Sequence, residues 1–82
     1  MSTIDELENF LLTEIVVDQN IESISPDDDL IMQGIIDSLG IMKLVEYLEN
    51  TFKIKISDDD IVPENFQTLK NLEKLIEMKR QG

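Results

Sequence analysis

The sequence has no cysteine, no histidine and no tryptophan among its 82 residues. Without cysteine there is no disulfide framework and no thiol belonging to the chain itself. Without histidine or cysteine, the usual pairs of nucleophile and general base are absent. A pair of carboxylates could still do acid–base work, but the acidic residues are spread along faces expected to be solvated. We therefore expect a protein that is not an enzyme.

Basic residues are also scarce, and none occurs before Lys43. Seven Lys and Arg stand against 18 Asp and Glu, which gives a net charge of −11. Such a field repels the phosphates of nucleic acids and of anionic membranes, and it attracts basic protein surfaces. The charge predicts partners with basic docking patches and disfavours nucleic acid. A merely soluble acidic surface would have the same composition.

Long apolar runs are missing, since no run approaches the roughly 20 residues needed to cross a bilayer. The amino terminus lacks the basic, apolar and small-residue segments of a secretory signal. The chain is also too short for two separate hydrophobic cores. We expect one domain over residues 1–82, monomeric, cytoplasmic and without membrane insertion.

Hydrophobic residues make up 41% of the chain, and much of this content follows helical periodicity. Thr3 and Glu6 fit a capping box at the start of the first helix. The periodicity fails from 18 to 37, and Ser57 with the three aspartates after it predicts a short helical turn. The principal helices are predicted at about residues 3–17, from Ser38 onward and from about Thr68 onward. The predicted fold is all-α: a small bundle of three principal helices plus one short helix, with a long loop between helices 1 and 2.

The predicted core combines one stripe from each later helix with isolated apolar residues of the loop. The second helix is expected to bury Leu39, Met42, Val45, Leu48 and Phe52, widened by Ile41 and Leu44. The last helix is expected to bury Leu69, Leu72, Leu75 and Ile76, and the loop to bury Ile21, Ile24, Leu30 and Ile35. Ile54 and Ile56 alternate with lysines in a short extended stretch. Met32, Met42 and Met78 are pliable residues suited to an interior that opens around an acyl chain.

Two acidic runs, 27–29 and 58–60, raise the possibility of a metal site. A calcium loop needs Gly at its sixth position and Glu at its twelfth. Counted from Asp27 and Asp58, the sixth positions are Met32 and Pro63. Neither run matches, so we expect no metal site and interpret both runs as loop and capping charges.

The most informative segment is Gly34-Ile35-Ile36-Asp37-Ser38-Leu39, which lies near mid-chain at the predicted mouth of a helix. With its surroundings, this segment resembles the acyl and peptidyl carrier proteins. The similarity extends over the whole chain, through Asp28-Asp29-Leu30 before the motif, Leu44, Leu48, Glu49 and Phe52 after it, and the Glu64-Asn65-Phe66-Gln67-Thr68-Leu69 stretch.

The resemblance implies a 4′-phosphopantetheine arm, taken from coenzyme A and attached covalently to Ser38 by a phosphopantetheinyl transferase. It implies that the arm carries acyl or aminoacyl cargo as thioesters between loading and processing enzymes. Asp37 and Leu39 would then be recognised by the transferase, and Met42, Glu46 and Glu49 would contact partners. Independently of the resemblance, a helix mouth favours an anion such as a phosphodiester.

Two residues depart from the pattern of fatty-acid carriers, which commonly have acidic residues where this chain has Gly40 and Lys43. Gly40 also lowers helix stability by about 1 kcal/mol relative to Ala. Fatty-acid synthesis and a specialised acyl, aminoacyl or polyketide pathway therefore both stay open. The alternative from another class is a non-carrier acidic helical domain that binds a basic partner, in which Ser38 only caps its helix.

Overall fold

The computed structural model describes residues 2–16 and 21–81. Helix α1 spans Thr3–Phe10 and runs on into a π-helical segment at Leu11–Ile15. Helix α2 spans Ser38–Phe52, a 3₁₀ turn covers Asp58–Asp60, α3 spans Pro63–Phe66 and α4 spans Leu69–Gln81. No strand occurs in the part of the chain that the structure describes. This confirms the predicted all-α bundle of three principal helices.

The first helix begins one residue earlier than the predicted cap. The Ser2 hydroxyl accepts a hydrogen bond from the Asp5 backbone N–H at 3.1 Å, so Ser2 is the N-cap. The prediction of Thr3 as the cap was wrong, because Thr3 already lies inside the helix. At the other end, the Val16 N–H donates to the Leu11 carbonyl at 2.7 Å, which closes the π-helical segment. The predicted end of this helix at residue 17 lies outside the described residues.

The core forms where α1, α2 and α3 pack on α4 and the long loop folds over them. Its fully buried side chains come from every part of the chain, and they are Leu7, Leu11, Leu30, Leu44, Leu48, Phe66, Leu69, Leu72, Leu75 and Ile76. An aromatic pair links α1 to α2, because the Phe10 ring stacks on Tyr47 with 3.9 Å between centroids. The last helix and the loop therefore bury the residues predicted for them, with Ile21 half-buried.

The buried face of α2 differs from the predicted stripe. Leu39 and Met42 are 66% and 57% exposed, so placing them in the core was wrong. Gly40 is buried although it was not predicted to be, whereas Leu44, Val45 and Leu48 are buried as predicted. The other two methionines predicted for a pliable interior, Met32 and Met78, are also exposed, and that prediction was wrong as well.

The extended segment after α2 is held against that helix. Ile54 and Ile56 are buried while Lys53 and Lys55 are exposed, which confirms the predicted alternation. The Ile56 N–H donates to the Glu49 carboxylate at 2.9 Å. Among the described residues, no helix is long and apolar enough to cross a membrane.

Candidate functional site

Hydrogen bonds and an ion pair hold the loop that leads into α2 against the start of α4. The Leu30 N–H donates to the Gln67 carbonyl at 2.7 Å, and the Gln67 side-chain amide donates to Asp29 at 2.8 Å. The hydrogen bond from Gln67, followed by that from the Met32 N–H, lowers the pKa of Asp29 below its usual value. Lys70 forms an ion pair with Asp27 at 3.0 Å. Asp27 and Asp29 thus connect the loop to the start of α4.

A tight turn then reverses the chain just before α2. Gly34 adopts a φ of +72°, a left-handed conformation that glycine reaches without strain. The N–H groups of Ile35 and Ile36 both donate to the Leu30 carbonyl, at 2.9 and 3.2 Å. Both isoleucine side chains are buried, so the next residues emerge at the surface in a fixed place.

Asp37 is the N-cap of α2. Its backbone is extended, and its carboxylate Oδ1 accepts from the Gly40 N–H at 2.8 Å. Asp37 is exposed, and its role in transferase recognition stays a prediction. The cap that the non-carrier alternative gave to Ser38 belongs to Asp37.

Ser38 is the first residue of α2 and is exposed. Among the hydrogen bonds of the described residues, none involves its hydroxyl. Because Asp37 takes the Gly40 N–H, the amides of Ser38 and Leu39 are left without intrahelical acceptors. Free amides at the positive end of a 15-residue helix favour an anion. The residues present therefore fit a phosphodiester on Ser38.

The other predicted site residues share the exposed face of α2, with one exception. At 100° per residue, Ser38, Leu39, Met42, Lys43, Glu46 and Asn50 fall within one arc, and all six are exposed. We call this arc the α2 face. Glu49 is half-buried, and its carboxylate is used within the chain by Ile56. The α2 face therefore carries one acidic residue, Glu46, and one basic residue, Lys43.

Two residues that the sequence analysis named only as departures from the fatty-acid carriers, Gly40 and Lys43, belong to the site. Gly40 is buried, and an ideal Cβ on it would stand 3.2 Å from Ile15 Cγ2 and 3.4 Å from Asp37 Oδ1. Gly40 thus lets the end of α1 approach the first turn of α2. Lys43 lines a surface groove with Asp37, Leu39 and Gly40. In the sequence, Lys43 stood out as the first basic residue of an acidic chain and as a departure from the fatty-acid carriers.

Comparison with known proteins agrees with this geometry. A D-alanyl carrier protein of Streptococcus uberis is 37% identical over 46 residues, which are 56% of this chain and 58% of that relative. The match thus spans less than two thirds of the relative's length. The family described as "Phosphopantetheine attachment site" matches residues 11–76, which include Ser38 and the whole α2 face. Its cofactor is 4′-phosphopantetheine, held covalently. The chain belongs to this family of phosphopantetheine-binding carrier proteins.

Proposed function

We propose that Ser38 bears the phosphopantetheine arm, and that the protein holds acyl or aminoacyl groups as thioesters and passes them between partner enzymes. The observation that carries this proposal is the exposed Ser38 at the first position of α2, inside the matched region. When bound, the arm supplies a terminal thiol, which this cysteine-free chain lacks. The proposal takes residues 1–82 as one carrier domain.

Loading of the arm requires coenzyme A and a phosphopantetheinyl transferase. The Ser38 hydroxyl oxygen forms a new bond to the phosphorus next to the pantetheine. The bond from that phosphorus to adenosine 3′,5′-bisphosphate breaks, and the hydroxyl proton passes to the transferase or to solvent. Ser38 suits this step because its hydroxyl is exposed and the free amides of the first turn of α2 stabilise the resulting phosphodiester.

The α2 face is the surface that we propose for partners. Leu39 and Met42 expose apolar side chains one helical turn apart, which gives a partner an apolar anchor next to Ser38. Glu46 lies on the same face and can pair with a basic residue of the partner. Glu49 contributes less than predicted, because the Ile56 N–H already occupies its carboxylate. Asp37 and Leu39, which flank Ser38, are the residues best placed for the transferase.

For the cargo, we propose a small aminoacyl group, with a fatty-acyl group as the alternative. The matched relative is named a D-alanyl carrier protein. Met32, Met42 and Met78 are also exposed, so these three residues do not supply a pliable interior for a long acyl chain. A D-alanyl group needs no such shelter, since it is short and polar.

The attachment is tested by intact mass after incubation with coenzyme A and a broad-specificity transferase. We expect wild type to gain one phosphopantetheinyl group and Ser38→Ala to gain none. Ser57→Ala is the matched control, because Ser57 is exposed and also precedes a helical turn, and it should gain the group in full. A wild-type protein that stays unmodified beside a working control carrier, or a Ser38→Ala variant that is modified, overturns the assignment.

The cargo is tested on the modified protein. An enzyme that adenylates D-alanine and an enzyme that loads fatty acids are each offered the carrier, and kcat/KM for the carrier is compared. We expect efficient loading with D-alanine and little with the fatty acid. The reverse order contradicts the aminoacyl proposal and leaves the attachment at Ser38 standing.

A further inference from the structure

A surface groove of about 350 Å³ opens beside the first turn of α2. Its described walls come from the end of α1, from the loop and from α2: Ile15, Val16, Ile21, Gln33, Gly34, Ile35, Asp37, Leu39, Gly40 and Lys43. Two of these residues, Asp37 and Leu39, directly flank Ser38 in the chain. Ser38 itself is not among these walls, so a group attached to it would enter the groove from between Asp37 and Leu39.

Lys43 is the one basic residue among the described walls of the groove. It is exposed, and it takes part in none of the ion pairs found among the described residues. The carboxylate that shares the groove belongs to Asp37, whose Oδ1 is directed to the Gly40 N–H. The ammonium of Lys43 is thus available for an anion beside Ser38.

Four of the described wall residues are apolar and come from the end of the first helical segment and from the loop. Ile15, Val16 and Ile21 are half-buried and Ile35 is buried, so all four present hydrocarbon to the groove. In 4′-phosphopantetheine, one methylene separates the phosphate from a carbon that carries two methyl groups. An anion followed at once by a branched apolar group matches a groove that is lined by a lysine and by isoleucine and valine side chains.

We propose that this groove is a docking site for the arm itself, in which Lys43 pairs with the phosphodiester and the four apolar wall residues hold the dimethyl carbon. The inference rests on the proposed attachment at Ser38. Lys43 acts here as a positioning residue, since it holds the proximal part of the arm and leaves the distal thiol free. Docking is in equilibrium with a free arm, because an exposed ion pair contributes little and is screened by salt.

The test uses the intact modified protein, prepared with an arm that is labelled with ¹³C at the two methyl groups of its dimethyl carbon. Mass spectrometry first establishes that the arm is attached, and failure at this stage overturns the proposed function together with the inference. Methyl spectra of modified and unmodified protein are then compared, and NOEs are recorded from the labelled methyl groups. We expect shifts and NOEs at Ile15, Val16 and Ile21.

Three variants separate charge from packing. Lys43→Ala should lower the ratio of docked to free arm by about two- to fivefold, the range of an exposed ion pair. Lys43→Arg should keep the NOEs, and Lys55→Ala, which removes an exposed lysine outside the groove, should leave them unchanged. A salt titration should weaken the NOEs in wild type more than in Lys43→Ala.

Two results overturn the docking site. In one, shifts on modification stay confined to residues 37–41 and the labelled methyl groups show no NOE to the groove, while the mass shows full attachment. In the other, the NOEs are present and Lys43→Ala leaves them unchanged, which removes Lys43 from the site. Backbone spectra of each unmodified variant confirm that it is folded.

Discussion

Replacing Leu30 by alanine removes a fully buried side chain from the loop that leads into α2. The backbone of Leu30 also holds the loop. Its N–H donates a hydrogen bond to the Gln67 carbonyl, and its carbonyl accepts hydrogen bonds from the Ile35 and Ile36 N–H groups. These backbone bonds survive the substitution, so the change isolates the loss of packing. The loop keeps its backbone hydrogen bonds and loses the side chain that packs in the core.

We expect Leu30→Ala to lower the free energy of unfolding by about 2–5 kcal/mol, the range for a buried leucine truncated to alanine. A domain of 82 residues has a total stability of only about 4–12 kcal/mol. The variant should therefore melt roughly 10 °C or more below wild type. Met32→Ala is the matched control two residues away, because Met32 is 83% exposed, and it should change stability by less than about 0.5 kcal/mol.

The assay is urea unfolding followed by far-UV circular dichroism, with one transition fitted for each protein. A Leu30→Ala variant within about 1 kcal/mol of Met32→Ala would refute the reasoning. Such a result would mean that the loop rests on the core without being part of it. The urea midpoint of Leu30→Ala should fall while the slope of the free energy of unfolding against urea concentration stays as in wild type. A loop that detached in the native state would lower that slope.

Two further substitutions test contacts at either end of the fold. Gly40→Val should destabilise the protein by about 1–3 kcal/mol, because Ile15 Cγ2 leaves no room for a branched side chain. This loss is expected although valine has a better helix propensity than glycine. A variant that is at least as stable as wild type in thermal unfolding would contradict the prediction. Asp60 has its pKa lowered to about 2, first by the hydrogen bond from Lys79 and then by those from Ser57. A lowered pKa in the folded state contributes stability that is present above the unfolded value near 3.8 and is lost as the pH falls through about 2. Asp60→Asn should accordingly be less stable than wild type at pH 7, and the difference should vanish between pH 4 and pH 2; a difference independent of pH would contradict the ion pair.

Much of the fold could be predicted because its apolar residues recur with helical spacing. Leu69, Leu72, Leu75 and Ile76 allow one inward face for the last helix, and the structure buries that face. The loop was predictable for a related reason, since isolated apolar residues in a polar stretch have few places to go except the core. Asp60 and Ser57 likewise form the predicted cap of a short turn.

The buried face of α2 could not be predicted by the same rule. The apolar residues of this helix form a broad band, with Leu39 and Met42 at one edge and Leu44 at the other, and only part of so wide a band can be buried. Which part is buried depends on Gly40, which allows close approach because it has no side chain and so adds nothing to a hydrophobic pattern. In the structure Ile15 lies against Gly40, so the side of α2 that contains Gly40 is turned inward.

The hydrogen bonds between side chains and backbone that cap the helices could not be predicted from the sequence either. Ser2 and Thr3 are equally good caps by residue type, and only the extended backbone of Ser2 decides between them. The same holds for Asp37 against Ser38 at α2. The motif around Ser38 located the candidate site correctly, whereas the groove with Lys43 needed three distant segments to be brought together.

The two hydrogen bonds that join Gln67 to the loop, from its side-chain amide to Asp29 and from the Leu30 N–H to its carbonyl, have a consequence for protein synthesis. A ribosome completes Ser38 well before it reaches Gln67, so the serine exists for a time without the structure that presents it. The nascent chain can take up its modification in the folded geometry only after α3 and the start of α4 have left the exit tunnel.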